Sequence, residues 1–502
     1  MNDNLIVGIL VVLLCAIGYF YSWKFQQQDN FKIAVFLLLL CGLILRIYTS
    51  FDFFLHVWDE RYHSLVAKNL IQHPLKPTLY NNPILPYNYK NWTGNNVWLA
   101  KPPVPLWSMA LSIYLFGQNE IAVRFPSLIV STLAILLTFR IAQTLFNNKI
   151  AWLAALLHSL HGMLIELAAG RISSDHAETF FIFWVELAVW LGILAVTKKE
   201  KQILFLSLCG VFTGMAFLSK MLPAFIVLPV WLSLAFFYKK NTRQKFFIQF
   251  IVLVVVSLSV SLPWFIYIFL EFPEETKDML GSQISPLNTV IQNHKGPFWF
   301  YLNNIRIVFG EIIYIPLIWV IYKAYKNSTR FQYLPLLLWI MIPLLTFSFA
   351  ETKRHTYLLI AAPAIFTITS VFWYWLSEYK KNHRYNWFFT LILFLIIALP
   401  VRYSIERVKP FEKINRRPQW AVDLKKLNEE KITNGVLFNC EHAIEAMFYT
   451  NLTAYPNIPD KNTLIHLIAQ GYTVLINDNG SIPNNIKEIK GLRIINLTAG
   501  NS

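Results

Sequence analysis

About twelve apolar runs, each near the roughly 20 residues that an α-helix needs to cross a lipid bilayer, dominate this sequence. Of its 502 residues, 56% are hydrophobic and only 14% are charged, whereas about a quarter of a soluble globular chain is charged. A core of ordinary size cannot hide this much apolar surface, so most of it must face lipid. We therefore predict an α-helical polytopic membrane protein. Its predicted transmembrane helices cover residues 5–22, 31–49, 120–145, 150–168, 177–197, 202–219, 222–238, 246–270, 304–322, 331–349, 357–376 and 387–403.

Lysine and arginine residues cluster in alternate connections between these runs. The positive-inside rule places such connections in the cytoplasm. This topology accounts for the formal net charge of +16, so we expect no nucleic-acid partner. The apolar run 102–117 would break the alternation if it crossed the membrane, so we predict an interfacial helix there. The basic residues are Lys24 and Lys32; Lys149; Lys198, Lys199 and Lys201; Lys239, Lys240, Arg243 and Lys245; Lys323, Lys326 and Arg330; Lys380, Lys381 and Arg384.

The same topology puts three long segments on the outer side: 50–119, 271–303 and everything after about residue 403. The first apolar run, from Leu5 to Tyr21, has no basic residue before it and no small-residue cleavage pattern after it. We therefore predict a retained span rather than a signal peptide. The transmembrane domain is accordingly predicted to cover residues 1–403.

Residues 404–502 change abruptly in composition and become charged and rich in turn residues. Short β-type runs alternate there with helical patterns, which predicts a small α/β domain with a mostly parallel sheet on the outer (periplasmic) side. No glycine-rich phosphate loop follows any of these strands, so we do not expect nucleotide binding there. The predicted strands are Gly435–Phe438, Tyr472–Ile476 and Leu492–Asn496, and the predicted helices are Glu441–Tyr449 and Lys461–Gln470.

Two carboxylates, Asp59 and Glu60, stand at the start of the first outer loop, shortly after the apolar run that ends near Ser50. An acid at bilayer depth costs about 2.5–3.5 kcal/mol on insertion scales, so acids at the membrane rim suggest a function. The alternative is a solvated helix start, with Asp59 capping a helix that begins at Glu60. The sequence leaves both interpretations open.

A lysine precedes two prolines at Lys101-Pro102-Pro103. A rigid, extended backbone would hold the lysine stem there, which suits a fixed cation directed at an anion such as phosphate. The alternative is an interfacial lysine whose ammonium simply reaches water.

The segment from Arg171 to Glu178 follows the predicted span 150–168 and is rich in charge. Helical spacing would put Arg171, Asp175 and Glu178 on one face. A local ion pair between Arg171 and Asp175 is the simpler explanation, because exposed pairs of this kind are common and weak.

Two further segments place cations on the predicted outer side, against the topological bias. One runs from Glu351 to Tyr357 and contains Lys353, Arg354 and His355. The other is His294-Lys295-Gly296-Pro297, followed by Trp299 and Tyr301. Acids and cations thus meet at one membrane face, whereas a transporter should place its ionisable groups near the bilayer midplane. The pattern favours chemistry at the surface.

Taken in order, these motifs resemble those of the GT-C membrane glycosyltransferases, most closely the aminoarabinose (lipid A) transferase and dolichyl-phosphate-mannose-protein mannosyltransferase-like group. The resemblance covers roughly residues 31–376. It rests on Asp59-Glu60 with Tyr62, Lys101-Pro102-Pro103 before Leu106-Trp107, Gly117–Glu120 with Arg124–Ser127, the Asp175 region, and the stretches His294–Tyr301 and Lys353–Tyr357.

The resemblance implies a GT-C-like fold and transfer of a sugar from a polyprenyl-phosphate carrier, at the outer membrane face and with inversion. The acceptor would be a lipid, a glycan or a protein, and the membrane a bacterial inner membrane. The implied catalytic residues are Asp59, Glu60 and Asp175. The implied donor-phosphate residues are Lys101, Lys353, Arg354 and Tyr357, and the implied substrate-binding residues are Tyr62, Arg171, His294 and Tyr301.

Several alternatives stay open from the sequence. A transporter or flippase for a lipid-linked sugar is the main competing function, and a non-catalytic scaffold is another. No cofactor is required by the pattern. A divalent metal also stays open, because acids lie near His176 but their spacing specifies no metal site.

Overall fold

The computed structural model describes residues 3–173, 175–198, 200–238, 243–326, 330–382 and 386–498. Short 3-10 helices cover Leu222–Ile226, Glu311–Ile313, His355–Ala361 and Lys380–Asn382. The α-helices are α1 Asp3–Gln27, α2 Phe31–Ser50, α3 Asp59–Leu70, α4 Pro103–Phe116, α5 Glu120–Leu145, α6 Asn148–Leu160, α7 Gly162–Ala168, α8 Asp175–Thr197, α9 Gln202–Lys220, α10 Val227–Tyr238, α11 Arg243–Glu271, α12 Pro273–Asn288, α13 Phe300–Phe309, α14 Tyr314–Tyr325, α15 Arg330–Phe349, α16 Ala362–Tyr379, α17 Asn386–Val408, α18 Gln419–Glu429, α19 Ala443–Tyr449, α20 Lys461–Ala469 and α21 Asn484–Lys487. The strands are β1 Gly435–Phe438, β2 Thr453–Ala454, β3 Thr473–Asn477 and β4 Arg493–Ile495.

The predicted helical membrane architecture is confirmed. Among the described residues, nine helices are long and apolar enough to cross a membrane, and ten if α6 and α7 form one bent span. Those two helices meet at an angle of 57°. The bend lies at His161, whose extended backbone (φ −72°, ψ 103°) interrupts the helix. The chain is an integral membrane protein.

The two remaining predicted spans are helical but interrupted. Residues 222–238 begin as a 3-10 helix before α10, and the apolar helix there is too short to qualify as a span. The run 304–322 is divided between α13 and α14, because Gly310 adopts a positive φ of 94° that ends α13. Helix α4 occupies the apolar run 102–117 and has 14 residues, fewer than the roughly 20 that a span needs, and its interfacial position stays a prediction.

The chain divides into two compact units. The first unit comprises residues 1–50, 101–105 and 127–413, and it contains most of the apolar helices. Its largest core cluster joins residues of α6, α8, α10, α15 and α16, with several alanines on α6, α8 and α16. Closely packed helices of this kind are typical of membrane bundles, where small residues let the backbones approach.

The second unit comprises residues 51–100, 106–126 and 414–502. Its four-stranded sheet is parallel throughout, in the order β2-β1-β3-β4. The predicted small α/β region is therefore confirmed. Strand β2 was not predicted, because two residues are too few to show the alternation of apolar and polar side chains that marks a strand. These two units do not coincide with the predicted domains 1–403 and 404–502. The predicted boundary at residue 403 stays a prediction.

Within the second unit, the C-terminal α/β region packs directly on the first long loop. The ammonium of Lys68 donates hydrogen bonds to the carbonyl oxygens of Met447 (2.7 Å), Phe448 (3.2 Å) and Thr450 (2.6 Å). The hydroxyl of Tyr80 donates to the carbonyl of Ala454 (3.1 Å). One apolar cluster includes side chains from α3, α4, α18 and α19. The loop and the C-terminal region therefore share one core.

Helix α1 packs tightly against the end of the first unit. A β-carbon at Gly8 would clash with the backbone carbonyl of Pro410. We expect Gly8→Ala to lower the free energy of unfolding by about 1–3 kcal/mol, since backbone cannot yield as a side chain does. Thermal unfolding of the purified protein measures this change.

The matched control for this substitution is Gly281→Ala, because Gly281 is also helical but has nothing within 4 Å of the position of its β-carbon. We expect Gly281→Ala to be neutral or to stabilise by about 0.5–1 kcal/mol. Equal effects of the two substitutions would show that α1 does not pack as described.

Candidate active site

A polar cavity of about 170 Å³ lies in the first unit, at the ends of helices α8 and α9. Its lining includes three cations, Lys101, Lys220 and Arg354, together with Glu178 and Tyr357. We call it the cationic cavity. Among the described residues that line it, three side chains are positive and one is a carboxylate, a set of charges suited to binding an anion.

Neighbouring helices position Glu178 and Lys220. Glu178 lies in the first turn of α8 and Lys220 is the last residue of α9, and the two side chains form an ion pair. The Lys220 ammonium also lies 4.8 Å from the centroid of the Tyr357 ring, a cation–π contact. Glu178 Oε1 is buried without a hydrogen-bond partner among the described residues. The pair thus presents a fixed ammonium and a carboxylate oxygen with spare acceptor capacity.

Arg354 is held by the loop that precedes α13. Its guanidinium donates to the side-chain oxygen of Gln292 (2.6 Å), and its backbone N–H donates to the hydroxyl of Tyr301 (3.2 Å). The backbone before Arg354 pairs with α12 and with this loop, because Thr352 N donates to Pro286 O (3.0 Å) and Lys353 N to His294 O (2.8 Å). His294 and Tyr301 therefore support the segment that carries Arg354.

Lys353 occupies a different place from its neighbour. Its ammonium donates to the carbonyl oxygens of Phe347 (3.3 Å), Ser348 (2.7 Å) and Ala350, at the C-terminal end of α15. Burial lowers the pKa of Lys353, while Glu351 opposes that shift. A cation at a helix C-terminus satisfies carbonyls that the helix itself leaves open. Its three donors are thus directed to the backbone.

The carboxylates of the first outer loop lie in the second unit. Asp59 is the first residue of α3 and is partly exposed, and the N-cap position is Trp58. The helix thus begins one residue earlier than the N-cap alternative assumed, and Asp59 still stands at a partly exposed helix start. A carboxylate in the first helical turn is still favoured there by the positive end of the helix dipole.

Glu60 is fully buried in an ion pair with Arg124. Its Oε1 accepts from Arg124 Nε (2.7 Å), and its Oε2 accepts from Arg124 Nη2 (2.9 Å) and from the backbone N–H of His56 (2.7 Å). Arg124 also donates to the carbonyl of Phe54 (2.7 Å). The pair fixes the chain just before Asp59.

Tyr62 packs one turn beyond Asp59. Its hydroxyl accepts from Arg61 Nη2 (3.3 Å), and its ring lies 4.9 Å from that of Trp92. Arg61 in turn pairs with Glu445 of the C-terminal region (3.3 Å). Burial raises the pKa of the Tyr62 hydroxyl, with Arg61 acting in the opposite direction.

The predicted helical face from Arg171 to Glu178 is wrong. Gly170 adopts a positive φ of 75° after α7, so Arg171 lies in a turn and donates its N–H to the carbonyl of Glu166 (3.1 Å). Helix α8 begins only at Asp175. The side chain of Asp175 lies outside the described residues, so its predicted role stays a prediction.

Two residues of the cationic cavity were not predicted as site residues. Lys220 was not among the predicted residues, and Glu178 was predicted only to share a helical face with Arg171 and Asp175. The usable signal for Lys220 was the one applied to Lys353: a lysine on the predicted outer side, between the runs 202–219 and 222–238. Of the predicted donor-phosphate residues, the structure brings Lys101, Arg354 and Tyr357 to one cavity and places Lys353 at a helix end.

Within the described ranges, no group of three or more His, Cys, Asp or Glu side chains is arranged to hold a metal ion. His176 is fully buried, and its Nδ1 lies 2.8 Å from the hydroxyl of Ser127, which donates to the carbonyl of Ala168. This histidine therefore ties α8 to the helices around it.

Residues 100–267 match the family model described as dolichyl-phosphate-mannose-protein mannosyltransferase. The chain is 28% identical, over 54% of its length and 49% of the relative, to undecaprenyl phosphate-alpha-4-amino-4-deoxy-L-arabinose arabinosyl transferase 2 of Pseudomonas fluorescens. It is 27% identical to the corresponding transferase of Photorhabdus laumondii, over 52% of this chain and 47% of that one. The chain spans about half the length of these curated relatives.

Solved structures give the same picture of the fold. ArnT of Cupriavidus metallidurans in the apo state superposes with a TM-score of 0.62 at 14% identity, over 89% of this chain and 93% of that one. The oligosaccharyltransferase AglB of Archaeoglobus fulgidus gives a TM-score of 0.58 at 16% identity, over 84% of this chain and 64% of that one. The predicted GT-C-like fold and the resemblance stated from the motifs are confirmed.

Removal of either partner of the buried pair of Glu60 and Arg124 should destabilise the second unit. We expect Glu60→Gln or Arg124→Met to lower the free energy of unfolding by about 3–5 kcal/mol, because each leaves one buried charge uncompensated. The double variant should lose less than the sum of the two. Unfolding of the purified protein, followed by tryptophan fluorescence, measures these changes.

The control is Glu274→Gln, since Glu274 forms an exposed pair with Lys277 at 3.4 Å. Its effect should stay within about 0.5 kcal/mol. A Glu60→Gln protein as stable as this control would contradict the assigned pair.

Proposed function

We propose that this integral membrane protein, whose fold is that of the GT-C glycosyltransferases, transfers a sugar from a polyprenyl-phosphate donor to an acceptor, with inversion. The single observation that supports this most is the cationic cavity, which gathers Lys101, Lys220 and Arg354 around a space of about 170 Å³. A phosphate-linked donor carries the charge that this cavity suits.

The chemistry assigns the cations to the leaving group. The bond between the sugar's anomeric carbon and the phosphate oxygen breaks, and its electron pair stays on the polyprenyl phosphate. Preorganised positive groups stabilise charge that develops in this way, often as the largest catalytic contribution. Lys101, Lys220 and Arg354 fill this role, and Tyr357 and Glu178 hold Lys220 in place.

The carboxylate that we propose for the acceptor is Asp59. When the acceptor is a hydroxyl, its oxygen forms the new bond to the anomeric carbon and its proton passes to the carboxylate. When the acceptor is itself a phosphate, no base is needed and Asp59 orients the sugar. Glu60, bound to Arg124, acts by positioning Asp59. Asp175 remains the proposed second acidic residue.

The other predicted residues take supporting roles in this proposal. His294 and Tyr301 hold the segment that carries Arg354. Lys353 closes the end of α15 beside it. Tyr62 and Arg171 are proposed to contact the sugar or the acceptor.

ArnT of Cupriavidus metallidurans has been solved with undecaprenyl phosphate, and we extend this carrier class to the present chain. The acceptor is a lipid, a glycan or a protein. We place the protein in a bacterial inner membrane with the cationic cavity and the C-terminal region on the periplasmic side. Net movement of a lipid-linked sugar without transfer would instead favour the alternative function of a flippase.

The first test is sugar transfer from a panel of polyprenyl-phosphate sugars in membranes that contain the full chain. We expect Asp59→Asn to lower kcat about 10²–10⁴-fold if the acceptor is a hydroxyl, because the general base is lost. Unchanged transfer by a normally folded Asp59→Asn protein would remove Asp59 from the chemistry.

The second test concerns the cationic cavity. We expect Lys101→Ala and Lys220→Met each to lower kcat/KM for the donor about 10²–10³-fold while membrane insertion stays intact. The matched control is Lys295→Gln, which removes an exposed lysine from a neighbouring loop without touching the cavity lining. Equal losses in all three variants would show that net charge, and not the cavity, supports donor use.

A further inference from the structure

A second groove in the first unit lies at the other end of the spans, where the basic connections are. Its volume is about 770 Å³, and it is bounded by the connection between α1 and α2, by α5 and by the start of α6. The lining residues described for this groove and for the cationic cavity have no residue in common. We call it the basic groove.

One wall of the basic groove is apolar and reaches the surface of the bundle. It is formed by Val35, Phe36 and Leu39 of α2 with Leu136 and Phe139 of α5. Phe36 is 63% exposed, and its helix is among those apolar enough to cross a membrane. An apolar wall that faces the bilayer can take an acyl chain, which a soluble ligand lacks.

The rim of the basic groove is polar and carries two cations against one acid, namely Lys32 and Arg140 against Asp29. Arg140 donates to the side-chain oxygen of Gln143 (3.0 Å), and Gln143 donates to that of Asn148 (2.7 Å). The guanidinium is thereby held at the rim and keeps further donors for an anion.

We propose that the basic groove binds one anionic membrane phospholipid, such as phosphatidylglycerol. Its phosphate lies between Lys32 and Arg140, and one acyl chain follows the wall formed by Phe36, Leu39 and Leu136. Basic pockets between transmembrane helices bind the anionic head groups of other phospholipids, and the open groove needs to hold only the head group and part of one acyl chain. This inference does not depend on the proposed transfer reaction.

Cations near a membrane end also serve topology alone, so the test must separate the two roles. The purified full-length protein, exchanged into an uncharged detergent, is titrated with phosphatidylglycerol and analysed by native mass spectrometry. We expect one tightly retained lipid. The double variant Lys32→Gln/Arg140→Gln should weaken this binding about 30-fold, given the contribution of each basic residue near an anionic lipid.

The matched control is Lys149→Gln, which removes an exposed lysine of the same membrane end that does not line the basic groove. It should leave lipid binding unchanged. Leu39→Trp, which fills the groove and keeps both cations, should also expel the lipid. Equal retention by all variants would overturn the proposal, and so would binding of glycerol phosphate as tight as that of the intact lipid, because the apolar wall would then have no role.

Discussion

The structure of the first unit depends on one constraint: inside a lipid bilayer, every backbone polar group must find a partner within the protein. Among its interrupted helical passages, one bends at His161 and another ends at Gly310. A single imidazole serves both interruptions, because His161 Nδ1 accepts from Leu164 N (3.3 Å) and its Nε2 lies 2.8 Å from Val308 O. The bends that shape this unit are therefore stabilised together, by a residue whose ring nitrogens face two broken helix ends.

The cations at the predicted outer end of the helices are also held by specific partners within the protein. Lys353 and Arg354 are adjacent in sequence. Lys353 donates to carbonyls at the end of α15, whereas Arg354 lines the cationic cavity. Lys353 thereby satisfies carbonyls at the end of α15, directly before the residue that lines the cavity. The ion pair with Glu178 likewise fixes the ammonium of Lys220, which could otherwise extend toward water.

The sequence predicted what period and composition determine: the apolar spans, the alternation of basic connections and the small parallel α/β region. It could not predict contacts between distant residues, and so it missed that Lys220 meets Glu178 across 42 positions. It also took Arg171 and Asp175 as one helical face, because a helical pattern does not reveal that Gly170 ends α7. The sequence also could not show that Arg354 lines the cavity while Lys353 does not. That difference depends on the direction in which the backbone turns between them.

The contacts of Lys68 have a consequence for how the protein is made. Its three carbonyl partners lie 379 to 382 residues further along the chain. At synthesis rates of about 5–20 residues per second, the first long loop waits roughly 20–80 s for them. Throughout that interval the apolar side chains of α3 and α4 have no α19 to cover them. The first long loop therefore completes its core only after residues 447–450 have been synthesised.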